Sequence, residues 1–178
     1  MSRTVFNVLS VAMLGALLGG CGVTQSVSDA TTSTAKAIFY KQVKTLHLDF
    51  TGRAALNTDV ADMSGLSVPT MVRVYQLRDN KAVKKTTYDS VLSDSDSVLR
   101  TDLLAQRTLV VKPGEGAQLD VLLDKDARFV AVVALFRTPD TQKNTWRLML
   151  SRDELDPDQA RVIELGNNQL ILHALAKE

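Results

Sequence analysis

The hydrophobic positions of this chain change period along its length, and each change predicts an element. Val5 to Leu18 is almost wholly apolar, interrupted by Asn7, Ser10 and Gly15. Val27, Thr31, Thr34, Ala35, Ile38 and Gln42 fall at helical spacing behind Ser28 or Asp29 as N-cap, which predicts a helix over 29–41. From Lys44 the period drops to two. Leu46, Leu48 and Phe50 share one face against Thr45, His47 and Asp49, the pattern of a half-buried strand. Pro69 opens a second strand through Met71–Leu77, since a missing amide is tolerated at a strand end. Residues 104–111 read as a strand, Pro113-Gly114-Glu115-Gly116 as a turn, and Leu119, Val121 and Leu123 alternate with Asp120, Leu122 and Asp124. Phe129 to Phe136 is continuously apolar, as a central strand covered on both faces requires. Trp146, Leu148 and Leu150 alternate with Arg147, Met149 and Ser151, and Arg161–Leu165 and Gln169–Ala174 complete the series.

About eight short strands separated by turn signals predict a mainly β protein, a sandwich of two antiparallel or mixed sheets, with a closed barrel as the other arrangement of the same strands. The segment from Lys81 to Asp102 departs from this pattern. Tyr88, Val91 and Leu92 fit a short helix capped by Thr86 or Thr87; Ser93-Asp94-Ser95-Asp96-Ser97 interrupts it; Val98, Leu99 and Asp102 fit another turn. This predicts a small helical insertion between strands.

The first apolar run is short for a permanent membrane span and has the length of a signal-peptide core behind the positive start Met1-Ser2-Arg3. It ends in Leu18-Gly19-Gly20-Cys21, the pattern of a bacterial lipoprotein cleavage site. Small residues fit a narrow peptidase site, and the Cys21 thiol can carry a diacylglycerol thioether while its freed amine takes an N-acyl chain. Cys21 is the only cysteine. The expected organisation is a cleaved signal peptide over 1–20, an acylated tether over 21–28 and a domain over 29–178. Gly22, where an aspartate is the usual inner-membrane retention signal, favours the outer membrane. The remaining length of about 158 residues suits one domain with a core held by packing alone. Formal net charge is +1 with the two signs interspersed, which argues against nucleic acid and against an electrostatic membrane patch.

Little in the chain carries chemistry. His47 and His173, without thiolates or close spacing, make a poor zinc site. Asp153, Glu154, Asp156 and Asp158 match no calcium loop with its turn glycine and read as a solvated turn. There is no Gly-x-Ser-x-Gly elbow, and Gly114-Glu115-Gly116 lacks the lysine and helix of a phosphate loop. Trp146 reads as core. The expectation is a non-enzyme with no cofactor besides the lipid on Cys21. The connection Asn57–Ser67 is polar except for Val60, Ala61, Met63 and Leu66. Val60, Met63 and Leu66 either face a partner or tuck under the loop onto the sandwich.

Phe39-Tyr40-Lys41-Gln42-Val43-Lys44-Thr45-Leu46-His47-Leu48-Asp49, Pro69-Thr70-Met71-Val72-Arg73-Val74-Tyr75-Gln76-Leu77, Ala134-Leu135-Phe136 and Lys143-Asn144-Thr145-Trp146-Arg147, in that order behind the lipobox, resemble the outer-membrane lipoprotein of type VI secretion, the TssJ (SciN/VasD/Lip) family. The resemblance implies a transthyretin-like sandwich with extra helical elements. It implies a structural role in a TssJ-TssL-TssM membrane complex, holding the periplasmic C-terminal region of the inner-membrane protein TssM. It also implies that the loop between the first two strands makes that contact: Asn57, Thr58, Asp59, Val60, Ala61, Asp62, Met63, Ser64, Gly65 and Leu66. The other reading is an envelope-tethered lipoprotein of the same fold that binds or transports a small ligand.

Overall fold

The computed structural model describes residues 42–59, 61 and 65–175. The helix expected over 29–41, the leader and Cys21 lie outside them.

Among the described residues, eight strands form two four-stranded sheets. Strands β1 (Thr45–Gly52), β4 (Gly116–Leu122), β7 (Arg161–Gly166) and β8 (Gln169–Leu172) make the first sheet, in the order β4-β1-β7-β8. Strands β2 (Thr70–Leu77), β3 (Leu103–Val111), β5 (Phe129–Leu135) and β6 (Arg147–Ser151) make the second, in the order β3-β2-β5-β6. Pairing is antiparallel except between β1 and β7, where Leu48 lies beside Arg161 and Gly52 beside Leu165. The expected sandwich is therefore present, with one mixed sheet.

The core follows from the period-two pattern. Leu46, Leu48 and Phe50 of β1 are buried, as are Val72 and Val74 of β2, Leu150 of β6, and Ile163 and Leu165 of β7. Gln76 is also buried, and it ties the sheets together: its Nε2 donates to the Leu122 carbonyl at 2.9 Å and its Oε1 accepts from the Asp124 amide at 2.7 Å. A buried amide with both ends satisfied avoids the desolvation cost of an unpaired one. Strand β5 is buried from Val130 to Ala134 because the sandwich covers one face and a helical roof the other.

That roof is the insertion. Helix α1 (Lys81–Lys85) and helix α2 (Tyr88–Leu99) join β2 to β3 and lie on the outer face of the second sheet, where Arg73 of β2 donates to the Val91 carbonyl at 3.0 Å. Thr87 is the α2 N-cap, its hydroxyl accepting from the Ser90 amide. The polar interruption expected at 93–97 narrows to one residue. Asp94 leaves helical geometry (φ −152°, ψ 63°) and its side chain accepts from the Ser97 amide at 3.1 Å, restarting the helix. The expected second turn is thus the far half of a kinked α2. Helix α1 is absent from the sequence expectation, for it buries only Val83.

Trp146 is fully buried, as expected of core, although it sits one residue before β6. Its ring meets Tyr88 of α2 edge-to-face with centroids 5.2 Å apart. Tyr88 in turn donates its hydroxyl proton to the Phe136 carbonyl. Burial, and secondarily the nearby Asp89 carboxylate, raises the Tyr88 pKa above the ordinary phenol value. The phenol is therefore protonated at neutral pH and keeps this bond.

Candidate docking site

Strand directions place four connections at one end of the sandwich: the β1–β2 loop, the β3–β4 turn, the β5–β6 loop and the β7–β8 turn. The chain enters β1 at the other end, where the Leu123 amide donates to the Lys44 carbonyl. The eight residues of β1 separate the two ends by about 26 Å at about 3.3 Å per residue.

The β1–β2 loop is seated at its base. Leu56 is fully buried, and the Val68 amide returns to its carbonyl at 3.2 Å. Asn57 is 3% exposed and has positive φ (52°), a conformation asparagine tolerates better than most residues. Its Oδ1 accepts from the Arg137 amide at 2.6 Å and its Nδ2 donates to the Pro69 carbonyl at 3.4 Å. The Thr58 carbonyl accepts from Thr138 Oγ1 at 3.2 Å and from Asn168 Nδ2 at 2.9 Å. Asn168 Nδ2 also reaches Thr138 Oγ1 at 2.6 Å. Asp59 accepts from the Ala61 amide and faces Arg137 at 3.5 Å. Three connections are thus bound together at one end of the sandwich.

The ten residues singled out from the sequence occupy different positions in this arrangement. Asn57 faces inward, and Thr58 and Asp59 are half-buried in the network. Ala61, Gly65 and Leu66 are exposed, Leu66 by 63%. Gly65 has φ +57° and open space where a Cβ would stand, so it serves the turn and not close packing. Val60, Asp62, Met63 and Ser64 lie outside the described residues. Sequence reasoning missed Arg137, Thr138 and Asn168. One signal was available, because Asn167-Asn168 between β7 and β8 is a two-residue hairpin turn with positive φ at both positions (50° and 58°).

The other sequence candidates do not converge. His47 Nδ1 pairs with Asp120 across β1 and β4, whereas His173, one residue past β8, has its Nε2 3.5 Å from Glu164 of β7. In the acidic loop, Asp156 accepts from the amides of Asp158 and Gln159. Glu154 accepts from the Ser151 amide and hydroxyl in a capping box, and those bonds hold its carboxyl below the usual range. Among the described residues, no group of three or more His, Cys, Asp or Glu is placed to hold a metal. No described helix is long and apolar enough to cross a membrane.

Two sheets, a helical roof and bound loops at the end remote from chain entry define a mixed β-sandwich with a helical insertion. A family model described as type VI secretion lipoprotein (VasD, EvfM, TssJ) matches residues 44–168, and the chain belongs to that family. A chain of a solved type VI membrane complex is 42% identical to it, with a TM-score of 0.70 over 74% of this chain and 99% of that one. A chain in the solved structure described as the T6SS protein TssM C-terminal domain from EAEC is 40% identical, with a TM-score of 0.66 over 75% of this chain and 100% of that one. The lipoprotein TssJ1 from Pseudomonas aeruginosa, 24% identical, shares the fold with a TM-score of 0.63 over 76% of this chain and 98% of its own. A comparison with curated proteins gave no match.

Proposed function

We propose that this lipoprotein is a non-catalytic dock, anchored at the outer membrane by acyl chains on Cys21, that holds a TssM-type periplasmic domain through its β1–β2 loop. The observation that carries this reading is the polarity of the molecule. The chain enters β1 at one end, and the seated loop, with Leu66 in solvent, occupies the other. An exposed apolar residue on a loop held in place by two neighbouring connections suits a partner surface. The space between the sheets is occupied by side chains such as Leu46, Phe50, Val74 and Leu165, which disfavours the alternative of a ligand chamber between sheets.

Interface energy concentrates in a few apolar residues within a polar rim. Replacing Val60, Met63 and Leu66 together by serine lowers affinity for the TssM-type domain at least tenfold, about 1.4 kcal/mol, with the melting temperature nearly constant. Calorimetric titration and a thermal melt check both halves. Unchanged affinity moves the dock elsewhere, and a lowered melt makes these residues core.

The anchor has its own test. One acyl chain holds a protein marginally and two or three hold it firmly, at about 0.8 kcal/mol per buried methylene. Cys21→Ser therefore gives a folded protein that leaves the membrane fraction and no longer supports secretion. Acyl labelling that persists in this variant overturns the assignment.

A further inference from the structure

A cleft of about 440 Å³ opens between the helical roof and the β5–β6 loop, lined by Lys84, Lys85, Thr86, Thr87, Tyr88, Asp89, Thr141, Asn144 and Arg147. Its charge is unbalanced. Lys84, Lys85 and Arg147 stand against the single carboxylate of Asp89, in a chain whose formal net charge is only +1. None of the three cations has an ion-pair partner among the described residues. Arg147 is half-buried and its guanidinium hydrogen-bonds to backbone carbonyls: Nη1 donates to Val83 and Thr86, Nη2 to Lys84 at 3.0 Å. Carbonyl dipoles orient a guanidinium without neutralising it. Burial accordingly lowers the Arg147 pKa from the ordinary arginine value, with no carboxylate raising it again.

We propose that this cleft is a binding site for an acidic peptide segment, whose Glu or Asp carboxylates meet Lys84, Lys85 and the exposed side of Arg147. Geometry favours a segment over a single small anion. Lys84 and Lys85 are consecutive on α1, so their side chains diverge by about 100° around the helix and call for carboxylates at more than one point. Thr141 and Asn144 add polar groups from the opposite wall. The inference does not depend on the β1–β2 loop being a dock.

The chain carries its own reporter. Its one tryptophan, Trp146, lies with its ring centroid 5.0 Å from the Arg147 guanidinium carbon and edge-on to Tyr88, which lines the cleft. The full-length lipoprotein in neutral detergent is titrated with acetylated, amidated hexaglutamate, and Trp146 fluorescence is followed. The expected result is a saturable change that weakens at least fivefold between about 20 and about 200 mM salt, as exposed charge pairs are screened. Lys84→Gln/Lys85→Gln, two exposed positions, weakens it at least fivefold at low salt with an unchanged melt. Arg147 is left intact because it holds α1. Equal affinity in the double variant overturns the proposal, as does an equal response to hexaglutamine. Saturation by inorganic phosphate at the concentration effective for hexaglutamate, at matched ionic strength, assigns the cleft to free anions and overturns the peptide site.

Discussion

Trp146→Ala lowers the stability of the domain by about 3–5 kcal/mol, a loss read from denaturant midpoints at constant slope. The ring is fully buried, packs edge-to-face on Tyr88 and supports the Arg147 guanidinium over its face. Its removal opens a cavity beneath α2 and also weakens the placement of the arginine that binds α1. Domains of this size are stable by about 5–15 kcal/mol, so the variant sits near the unfolding threshold. Trp146→Phe separates the causes. The indole Nε1 is buried without a hydrogen-bond partner among the described residues, so phenylalanine discards a group that contributes nothing by hydrogen bonding and keeps most of the apolar surface. Its cost is about 1–2 kcal/mol, within the range for modest loss of core volume. A phenylalanine variant as unstable as alanine places an unseen partner on Nε1.

The second large effect lies at the chain-entry end. Arg152 follows β6 in the 3-10 turn Arg152–Glu154, and its guanidinium collects four backbone carbonyls. Nη1 donates to Asp124 and Lys125 at 3.1 Å and to Ala127 at 2.8 Å, and Nη2 donates to Val43 at 2.7 Å. These carbonyls belong to the β4–β5 connection and to the residues leading into β1. Arg152→Met keeps much of the apolar stem and deletes every donor. Hydrogen bonds to charged groups contribute about 1.5–3 kcal/mol each, reduced where water can replace the donor. The half-exposed setting brings the expected loss to about 2–4 kcal/mol, checked by chemical denaturation. Amide exchange accelerates first at Ala127 and in the first residues of β1, while the loop end keeps its protection. A uniform loss of protection means that the clamp acts through the core and not locally.

What could be read in advance follows from the range of the interaction. Leu46, Leu48 and Phe50 announce their face because a strand repeats every two residues, and the run from Phe129 to Phe136 announces a strand covered twice. Helix α1 has no such signature. Five residues with one buried side chain carry no period, and the carbonyls at its end are bound by Arg147, more than sixty residues away. The candidate site divides in the same way. The β1–β2 connection is recognisable from its turn residues and scattered apolar positions. Its binding to Arg137, Thr138 and Asn168 spans 80 to 110 residues of chain and leaves no local mark. Asn57 belongs to the same set of residues as Leu66 in the sequence, yet one is enclosed and the other solvated. Alternation sorts residues by face only where a strand continues, and both lie beyond the ends of β1 and β2.

The parallel alignment of β1 with β7 has a consequence for the order in which the molecule can form. The first strand ends up between β4 and β7, and its register with β7 joins Leu48 to Arg161. Closing that separation carries a loop entropy that contacts made earlier in the chain do not repay, and topologies rich in such distant pairings fold slowly. β1 therefore lacks one of its two neighbours until the seventh of the eight described strands is in place, so the first strand to be made is among the last to be enclosed.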